Sequence, residues 1–264
     1  MNAAQIEAYG AELYRALRTA TAVEPLTDRT TSITIDEAYR IQSVLNRLRV
    51  ERDGERVIGK KIGVTSKAVQ DMLGVHQPDF GLLLDAMQVP DGSTLSLSKH
   101  RLIQPRAEGE IAFVLGDALH GPGVTAQQVL DATAYVSPCF EIVDSRIRDW
   151  KIAIEDTVAD NASCGVFVLG ADRVPPRALD LAAVRMEIRR NGALAATGLG
   201  SAVQGHPAAA VAWLANTLGA FGIPFEAGEV ILSGSLAPLL PAAAGDRFDL
   251  VLDGLGRASI AFSG

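Results

Sequence analysis

The sequence of 264 residues predicts an α+β fold, with a helical N-terminal portion over residues 1–56 and a β-rich portion over residues 57–264. Apolar residues recur every three or four positions mainly in the first portion, whereas strand-like apolar runs dominate the second. Segregated helices and strands favour an α+β fold over alternating βαβ units. Because no internal repeat or low-complexity linker interrupts the chain, we expect the two portions to form one integrated domain.

Helical features are found in four segments, which are residues 3–18, 34–51, 66–75 and 206–222. In the first of them Ile6, Leu13 and Leu17 share one helical face. Asp36 favours the first turn of the second, because acidic side chains stabilise helix N-termini. Gly74 is a plausible stop for the third, since glycine adopts the backbone conformation that ends many helices.

Strands are predicted over most of the remaining chain, in residues 57–66, 110–116, 132–145, 164–170, 182–198, 228–234 and 245–264. Within the segment 182–198, Asn191–Gly192 predicts a tight hairpin turn, because both residues tolerate positive φ. Residues 77–81 have the composition of a turn. The β-rich portion therefore begins with a strand, a short helix and a turn before its longer strands.

Charge and composition exclude some classes of partner. The net charge is −7, and no basic stripe is present, so we expect no nucleic-acid partner. No window has the run of roughly 18–20 apolar residues that a membrane span needs, so we expect no membrane association. Two cysteines, Cys139 and Cys164, do not form a disulfide framework, and the N-terminus lacks the features of a signal peptide. We therefore expect a cytoplasmic protein.

Two carboxylates stand one residue apart in a predicted strand, in the stretch PRAEGEIAFVLG. Glu108 and Glu110 point to the same side, about 6.6 Å apart along the chain. Like charges at this range repel, so a divalent cation, a shared proton or a basic partner should compensate. Glu141 lies in another apolar run, and three converging carboxylates would suit Mg²⁺ or Mn²⁺. The alternatives are a solvated sheet face for the pair and an edge position or a satisfied buried acid for Glu141.

Several stretches together resemble the 2-hydroxypenta-2,4-dienoate (2-keto-4-pentenoate) hydratases of the fumarylacetoacetate hydrolase superfamily. The stretches are IGKKIGVTSKAVQDMLGVHQPDFGLLLDAM, PRAEGEIAFVLG, EIVDSRIRDWKIAIEDTVADNASCG, GHPAAAVAWLANTLG and AGEVILSGSLAP. The resemblance runs from about residue 30 to the C-terminus. It implies a mixed β-roll or barrel around a metal site, and it makes residues 57–264 the catalytic portion. It also implies that Glu108, Glu110 and Glu141 hold one Mg²⁺ or Mn²⁺.

The resemblance assigns two catalytic residues. Lys61 stands at the lysine position of the family's Gly-x-Lys-x-Gly pattern, and Lys60 occupies the variable position. Asp79 is the acid of the family's Pro-Asp-aromatic-Gly pattern. We expect Asp79 to transfer a proton and Lys61 to hold or polarise the substrate head group. Without the resemblance, Asp79 would be read as a turn residue and Lys61 as a surface lysine.

Five further residues are candidates for binding substrate. Small hydroxyl residues and glycine follow a predicted strand at Ser233, Gly234 and Ser235, where hydroxyl and backbone N–H groups could bind a carboxylate, although a plain turn is an equal alternative. In this family the segment that contains Asp160 and Ser163 lies near the site. Asp160 is a candidate for holding a metal-bound water or for positioning Lys61.

The implied reaction is metal-dependent hydration of a 2-hydroxy-2,4-dienoate to a 4-hydroxy-2-oxo acid, in the meta-cleavage catabolism of aromatic compounds. The nearest alternative is 4-oxalocrotonate decarboxylase, and the alternative of another class is a non-catalytic assembly partner. Family likeness also implies a homo-oligomer that could associate with a pathway decarboxylase or aldolase. An alanine-rich surface over residues 202–215 would suit such assembly.

Overall fold

The computed structural model describes residues 1–30, 32–66, 70 and 75–264. Its helices are α1 (Ala3–Thr19), α2 (Leu26–Arg29), α3 (Ile35–Asp53), α4 (Ala126–Ala132), α5 (Ile154–Ala159) and α6 (Pro207–Gly219). Most of the helix predicted over residues 66–75, including its stop at Gly74, lies outside the described residues. The other three predicted helices are confirmed as α1, α3 and α6.

The two long N-terminal helices begin at capping boxes. The side chains of Asn2 and Gln5 exchange hydrogen bonds with each other's backbone N–H at the start of α1, and Thr34 and Glu37 do the same for α3. The last turn of α3 ends at Gly54, whose φ of +70° is the left-handed conformation that glycine adopts without strain. Local sequence signals therefore fix where these helices begin and where α3 ends.

The strands are β1 (Val57–Gly63), β2 (Asp79–Leu84), β3 (Gln88–Val89), β4 (Thr94–Ser96), β5 (Arg106–Leu115), β6 (Thr133–Val143), β7 (Cys164–Leu169), β8 (Arg185–Arg190), β9 (Ala193–Leu199), β10 (Val230–Leu232), β11 (Leu240–Pro241), β12 (Arg247–Leu252) and β13 (Gly256–Ser263). One mixed sheet has the order β2-β1-β10-β5-β6-β7-β3, with β11 also pairing with β5. The second sheet has the order β4-β13-β12-β8-β9. The hairpin predicted at Asn191–Gly192 is confirmed, and both residues have positive φ.

The two sheets pack face to face around an aromatic cluster. The rings of Phe140 and Phe248 meet edge to face at 6.4 Å, and Phe248 meets Phe262 at 5.9 Å. Gly109 on β5 faces this interface, where a Cβ would lie 2.5 Å from the sulfur of Met186. A glycine at this position lets the sheets approach, while the neighbouring side chains of β5 point to the opposite face.

The N-terminal helices share a second apolar core with a later part of the chain. Leu13 on α1 and Ile41 and Leu45 on α3 belong to one buried cluster with Ile147 and Val158. A chain segment that carries site residues, 144–163, is therefore held between the helices and the first sheet.

Helix α6 is buried within the chain and does not form an exposed alanine surface. Ala208, Ala210, Ala212 and Ala215 are all buried in the main core. The prediction of an alanine-rich surface over residues 202–215 is therefore wrong. The small side chains of α6 let it pack closely against α4 and β1.

No helix in the described ranges is long and apolar enough to cross a membrane. Cys139 and Cys164 are buried free thiols.

Candidate active site

Three glutamates converge on one face of the first sheet. Strands β5 and β6 pair in antiparallel register with Glu108 directly opposite Glu141, and Glu110 follows two residues along β5. Carboxylate oxygens of the three residues lie within 4.8 Å of one another. Glu110 and Glu141 are fully buried, and Glu108 is half-buried. The strand period of two and the register of one antiparallel strand pair are thus sufficient to assemble the cluster.

The oxygens of this cluster are poorly satisfied. Within the described part of the chain, Glu110 Oε1 and both carboxylate oxygens of Glu141 have no hydrogen-bond partner. Burial and the charge of Glu141 raise the pKa of Glu108 to about 8, and they raise the pKa of Glu110 well above its usual value. Buried, unpaired carboxylate oxygens at this separation are the donor set of a hard divalent cation. The residues present therefore fit Mg²⁺ or Mn²⁺.

Lys61 lies beside the carboxylate cluster. Its side chain is buried, and its Nζ lies 3.2 Å from Glu141 Oε1, an ion pair outside hydrogen-bond geometry. Burial by itself would lower the pKa of this lysine, but the charges of Glu141 and Asp79 raise it above the usual value. Lys61 is therefore an ammonium group on β1 that faces the carboxylate cluster.

Asp79 begins β2 and is held opposite Gly63 at the end of β1. Burial raises the pKa of Asp79, while the ammonium of Lys61 lowers it, and the net direction is upward. Neither of its carboxylate oxygens has a partner among the described residues. A Cβ at Gly63 would lie 2.2 Å from Asp79 Oδ1, so the second glycine of the GKKIG stretch makes room for this carboxylate.

The loop after β10 supplies one direct contact to the cluster. Gly234, with φ of +106°, donates its backbone N–H to Glu110 Oε2 at 2.8 Å. The hydroxyl of Ser233 is buried and has no hydrogen-bond partner among the residues that the structure describes. Ser235, by contrast, donates its hydroxyl to the carbonyl of Ala237 at 2.7 Å. Of the three residues, Ser233 is thus the one with a free buried polar group, and Gly234 orients a carboxylate.

Ser163 stands at the end of an unusual turn. Asn161, Ala162 and Ser163 have φ of 53°, 50° and 53°, a left-handed run that non-glycine residues adopt at a cost. The amide of Asn161 exchanges hydrogen bonds with the backbone N–H and C=O of Leu82 at 2.9 Å each, which fastens the turn to β2. The hydroxyl of Ser163 is buried without a partner in the described chain.

Asp160 forms a buried ion pair with Arg146. Its Oδ1 accepts from Arg146 Nε at 2.6 Å, and its Oδ2 accepts from the backbone N–H of Arg146 at 2.8 Å. Arg146 is fully buried, and it also donates to the carbonyl oxygens of Asp144, Asp160 and Cys164. The Asp160 side chain is thus paired with Arg146, and the roles expected from the sequence, holding a metal-bound water or positioning Lys61, stay predictions.

Two residues near the site carry no sequence signal that predicts their position. Arg146 is one of them, and Tyr39 on α3 is the other. The Tyr39 ring stacks on Phe80, with centroids 4.4 Å apart and planes at 16°. Burial and the charge of the adjacent Asp79 raise the pKa of the Tyr39 phenol. Its contact with β2 joins positions about forty residues apart, which helical periodicity cannot predict.

The chain matches the family model for the fumarylacetoacetate (FAA) hydrolase C-terminal domain over residues 61–261. It is 67% identical over 258 residues to a 2-hydroxyhexa-2,4-dienoate hydratase of Comamonas testosteroni, covering 98% of this chain and 97% of that protein. It is 58% identical over 223 residues to a 2-hydroxypent-2,4-dienoate hydratase of Pseudomonas putida, covering 84% of this chain and all of that protein (100%).

Among solved structures, the fold superposes on 4-oxalocrotonate decarboxylase from Pseudomonas putida G7, complexed with magnesium and adipate, with a TM-score of 0.95. The sequences are 34% identical, and the match covers 99% of this chain and 98% of that chain. The expected α+β fold, with a helical N-terminal portion and a mixed β-roll or barrel of this family's type, is confirmed. The chain therefore belongs to the fumarylacetoacetate hydrolase family and, within it, to the 2-hydroxydienoate hydratases.

Proposed function

We propose that this protein adds water to a 2-hydroxy-2,4-dienoate and releases a 4-hydroxy-2-oxo acid. The observation that carries the proposal is the cluster of Glu108, Glu110 and Glu141, whose oxygens meet within 4.8 Å beside a buried lysine. The hydratase names of its relatives at 67% and 58% identity support the same reaction. Aromatic meta-cleavage catabolism, which produces such dienoates, is the setting that the family likeness implies.

We assign the three glutamates to one divalent cation, Mg²⁺ or Mn²⁺. When bound, the ion supplies Lewis acidity and a template for the carboxylate and the C2 oxygen of the substrate. Gly234 holds Glu110 in place through its backbone N–H. Lys61 stands beside Glu141, where its positive charge stabilises negative charge that develops on the C2 oxygen. Ser233 and Ser163 offer to the substrate head group buried hydroxyls that have no partner within the described ranges.

Asp79 is the group that we assign to proton transfer. In the first step the enol O–H proton passes to solvent and Asp79 delivers its own proton to C5, which gives a 2-oxo-3-enoate. Asp79, now ionised, takes a proton back from solvent, so that no net proton is gained or lost. Water then adds across this double bond, with OH at C4 and H at C3, because the C2 carbonyl withdraws electrons from C4. The upward direction of the Asp79 pKa, caused by burial, keeps a transferable proton available at higher pH than in water.

A decarboxylase is the second candidate function, and the TM-score of 0.95 to 4-oxalocrotonate decarboxylase favours it over other reactions of the family. The sequence identity to that protein, 34%, is half of the 67% identity to the hydratase relative. A non-catalytic assembly partner would be expected to lose a cluster carboxylate or Lys61, and this chain has all of them. Hydration is therefore the better supported reaction.

Product identification tests this proposal. The purified protein, loaded with Mn²⁺, is incubated separately with 2-hydroxypenta-2,4-dienoate and 2-hydroxymuconate, and the products are identified by NMR. We expect a 4-hydroxy-2-oxo acid from the first substrate, and we expect a chelator to abolish its formation. Release of carbon dioxide from 2-hydroxymuconate without hydration of the pentadienoate would support the decarboxylase instead, and no turnover would support the non-catalytic partner.

We further propose a cytoplasmic homo-oligomer, with association to a pathway decarboxylase or aldolase as an additional arrangement. Strand β9 lies at the edge of the second sheet and exposes Leu194 and Leu199, and an apolar edge strand of this kind suits pairing with a second copy. Analytical ultracentrifugation of the purified chain, compared with the Leu194→Lys variant, tests the homo-oligomer. A monomeric wild-type chain would contradict it.

A further inference from the structure

We propose that Tyr39, Gln42 and Asn46 on α3 are positioning residues, which hold Asp79 in place for proton transfer by binding the outer edge of β2. The three residues are called here the α3 polar face. The inference rests on the hydratase function and on the role of Asp79 proposed above. It gives the N-terminal helices a part in the reaction, although they precede residues 61–261, the range that matches the family model.

Strand β2 lies at one end of the first sheet, with β1 as its one neighbouring strand in the described chain. Such an edge strand leaves a row of backbone N–H and C=O groups that the sheet does not pair. Because backbone groups alternate in direction along a strand, those of Phe80 and Leu82 share one side of β2. Asp79 begins this strand, so its position depends on what binds the outer edge.

Two side-chain amides bind the outer edge of β2. Gln42 Nε2 donates to the carbonyl of Phe80 at 2.9 Å. The Asn161 side chain donates to the carbonyl of Leu82 and accepts from its N–H, at 2.9 Å each, as a neighbouring strand would. Asn46 Nδ2 in turn donates to Asn161 Oδ1 at 2.9 Å. Helix α3 therefore holds the edge both directly and through Asn161.

Gln42 also joins β2 to the segment that carries Ser163. Its Nε2 donates a second hydrogen bond, of 3.0 Å, to the carbonyl of Val158, so one NH₂ group bridges two elements. Among uncharged side chains of this length, glutamine alone carries two donors on one nitrogen. Gln42 is 4% exposed, so little water can compete for the two carbonyls. The bridge thus fixes the strand of Asp79 relative to the turn that presents Ser163.

Tyr39 holds the same strand through a side-chain contact. It lies three residues before Gln42, on the same face of α3, and its ring stacks on Phe80. Phe80 directly follows Asp79, so α3 contacts both the ring and the carbonyl of the residue beside the proton-transfer group. A misplacement of about 1 Å can reduce the rate of an enzyme by on the order of 10²-fold. Loss of these contacts should therefore lower kcat.

The first test compares Gln42→Met with a control on another face of α3. Methionine fills a similar space without donating hydrogen bonds. With the Mn²⁺-loaded enzyme and 2-hydroxypenta-2,4-dienoate, we expect kcat to fall at least about tenfold. KM and the Mn²⁺ affinity should stay within about threefold of wild type, because the carboxylate cluster that binds the cation and head group is unchanged.

Val44→Ala is the matched control. Val44 is buried on α3 and faces α1, where a Cβ added to Gly10 would lie 2.5 Å from its side chain. Truncation should lower the urea midpoint by leaving a cavity between the helices, but it should keep kcat within about twofold of wild type. Equal losses of kcat in Gln42→Met and Val44→Ala would show general damage to the helices and would overturn the inference.

A double-mutant cycle with Asp79→Asn tests whether Gln42 acts through Asp79. In single-turnover measurements, Gln42→Met should lower the residual rate of Asp79→Asn by less than about threefold, because that variant has no proton-transfer group to misplace. The full loss seen in the wild-type background, repeated in the Asp79→Asn background, would overturn the inference.

A pair of Tyr39 variants keeps the inference testable if Gln42→Met fails to fold. Tyr39 is half-buried, so its replacement disturbs the core less. Tyr39→Phe retains the stacked ring and should keep kcat within about twofold of wild type, whereas Tyr39→Leu removes the ring and should lower kcat at least about fivefold. Equal values of kcat for the two variants would show that the ring does not position Asp79, and the inference would be overturned.

The failures of the two proposals are distinguishable. If the wild type hydrates the dienoate and Gln42→Met and Tyr39→Leu do so at the wild-type rate, the role of the α3 polar face is overturned and the hydratase function stands. The same conclusion follows if Asp79→Asn keeps the wild-type kcat, because the positioning residues then have no proton-transfer group to act through. If the wild type hydrates no dienoate, both proposals are overturned.

Discussion

Adjacent lysines on β1 have opposite surroundings. Lys61 faces the carboxylate cluster, 3.2 Å from Glu141, while Lys60 pairs with Glu229 and lies 4.7 Å from the centre of the Phe225 ring. Both side chains are buried, and they point to opposite faces because successive side chains alternate along a strand. The family pattern in the sequence favoured Lys61 over Lys60 as the catalytic lysine. The structure adds a physical difference, since Lys61 faces the carboxylate cluster and Lys60 faces Glu229.

These lysines form a matched pair of variants. Lys61→Met should reduce kcat by about 10²-fold or more, because it removes the positive charge beside the cluster. Lys60→Met should keep kcat within a few-fold, although it should lower stability by leaving Glu229 without its partner. Steady-state kinetics with Mn²⁺, below the unfolding temperature of each variant, checks both. Equal losses of kcat in the two variants would contradict the assignment of Lys61.

At the scale of elements, the segment between β6 and β7 is held by a buried ion pair. Arg146 and Asp160 contact each other through side chain and backbone, and Arg146 also binds three backbone carbonyls. The segment ends in the left-handed turn that presents Ser163. Because the guanidinium satisfies carbonyls on both sides of the loop, the ion pair fixes the backbone on which the turn depends.

Asp160→Asn should therefore affect stability more than metal binding. Removing one partner of a buried ion pair typically costs about 3–5 kcal/mol of unfolding free energy. Urea denaturation of metal-free protein measures the loss, and Mn²⁺ titration of the folded variant should give an affinity close to wild type. If the variant is as stable as wild type but loses Mn²⁺ binding, Asp160 belongs to the metal site. That result would support the hypothesis from the sequence that Asp160 holds a metal-bound water.

The β8–β9 hairpin is fastened to the loop before β12 through Asp246. Its carboxylate accepts from the guanidinium of Arg190 at 2.9 and 2.7 Å, from the Asn191 side chain at 3.0 Å and from the backbone N–H of Ala243 at 2.9 Å. The hydrogen bond from Arg190 is the main cause that lowers the pKa of Asp246 below its usual value. The ionised carboxylate is thus favoured in the folded state.

The lowered pKa of Asp246 makes the free energy of unfolding depend on pH in a defined direction. A carboxyl group with a depressed folded pKa stabilises the fold above its unfolded pKa of about 3.9, and that contribution is lost as the pH falls through the folded value. Asp246→Asn should therefore cost about 1–2 kcal/mol at pH 7 and progressively less below about pH 4. Urea denaturation of wild type and variant at pH 7, 5 and 3.5 checks it. A cost that is independent of pH would show that the ionised form contributes nothing.

For the whole molecule, the sequence predicted the parts that depend on local or periodic signals. α1, α3 and α6 have regular apolar spacing, and the β8–β9 turn has a residue pair suited to positive φ. The carboxylate cluster was predicted from the spacing of two glutamates in one strand and from the place of Glu141 in a second apolar run, and the family resemblance then assigned all three to a metal ion. Helices α2, α4 and α5 and strands β2, β3 and β11 were missed, because two to seven residues give no usable period. The turn predicted over residues 77–81 is wrong for residues 79–81, which begin β2.

Contacts between distant segments could not be predicted in the same way. The stacking of Tyr39 on Phe80, the clamping of Asp160 by Arg146 and the burial of α6 each depend on how elements pack. Asp160 illustrates the difference, because an acid near a site in sequence is equally compatible with a metal-bound water, with Lys61 or with a structural arginine. The choice among them required the position of Arg146 relative to the turn.

We expect the carboxylate cluster to make the stability of the whole molecule depend on a divalent cation. Without a cation, three buried or half-buried carboxylates repel one another, and two of them lack full hydrogen bonding among the described residues. In metal-free protein, Glu110→Gln should raise the thermal midpoint because it removes a buried carboxyl group whose ionised form is disfavoured by burial and by its neighbours. In the presence of Mn²⁺ the order should reverse, because binding to the folded state stabilises only the wild type strongly.

Titration of Mn²⁺ into chelator-treated protein, followed by calorimetry, tests the metal site most directly. We expect the wild type to bind one ion per chain and Glu110→Gln to lose at least about a hundredfold in affinity, with hydration of the dienoate lost in parallel. A wild-type chain that binds no ion, or a Glu110→Gln variant that binds Mn²⁺ as tightly as wild type, would contradict the assignment of the three glutamates as the ligands of a catalytic cation.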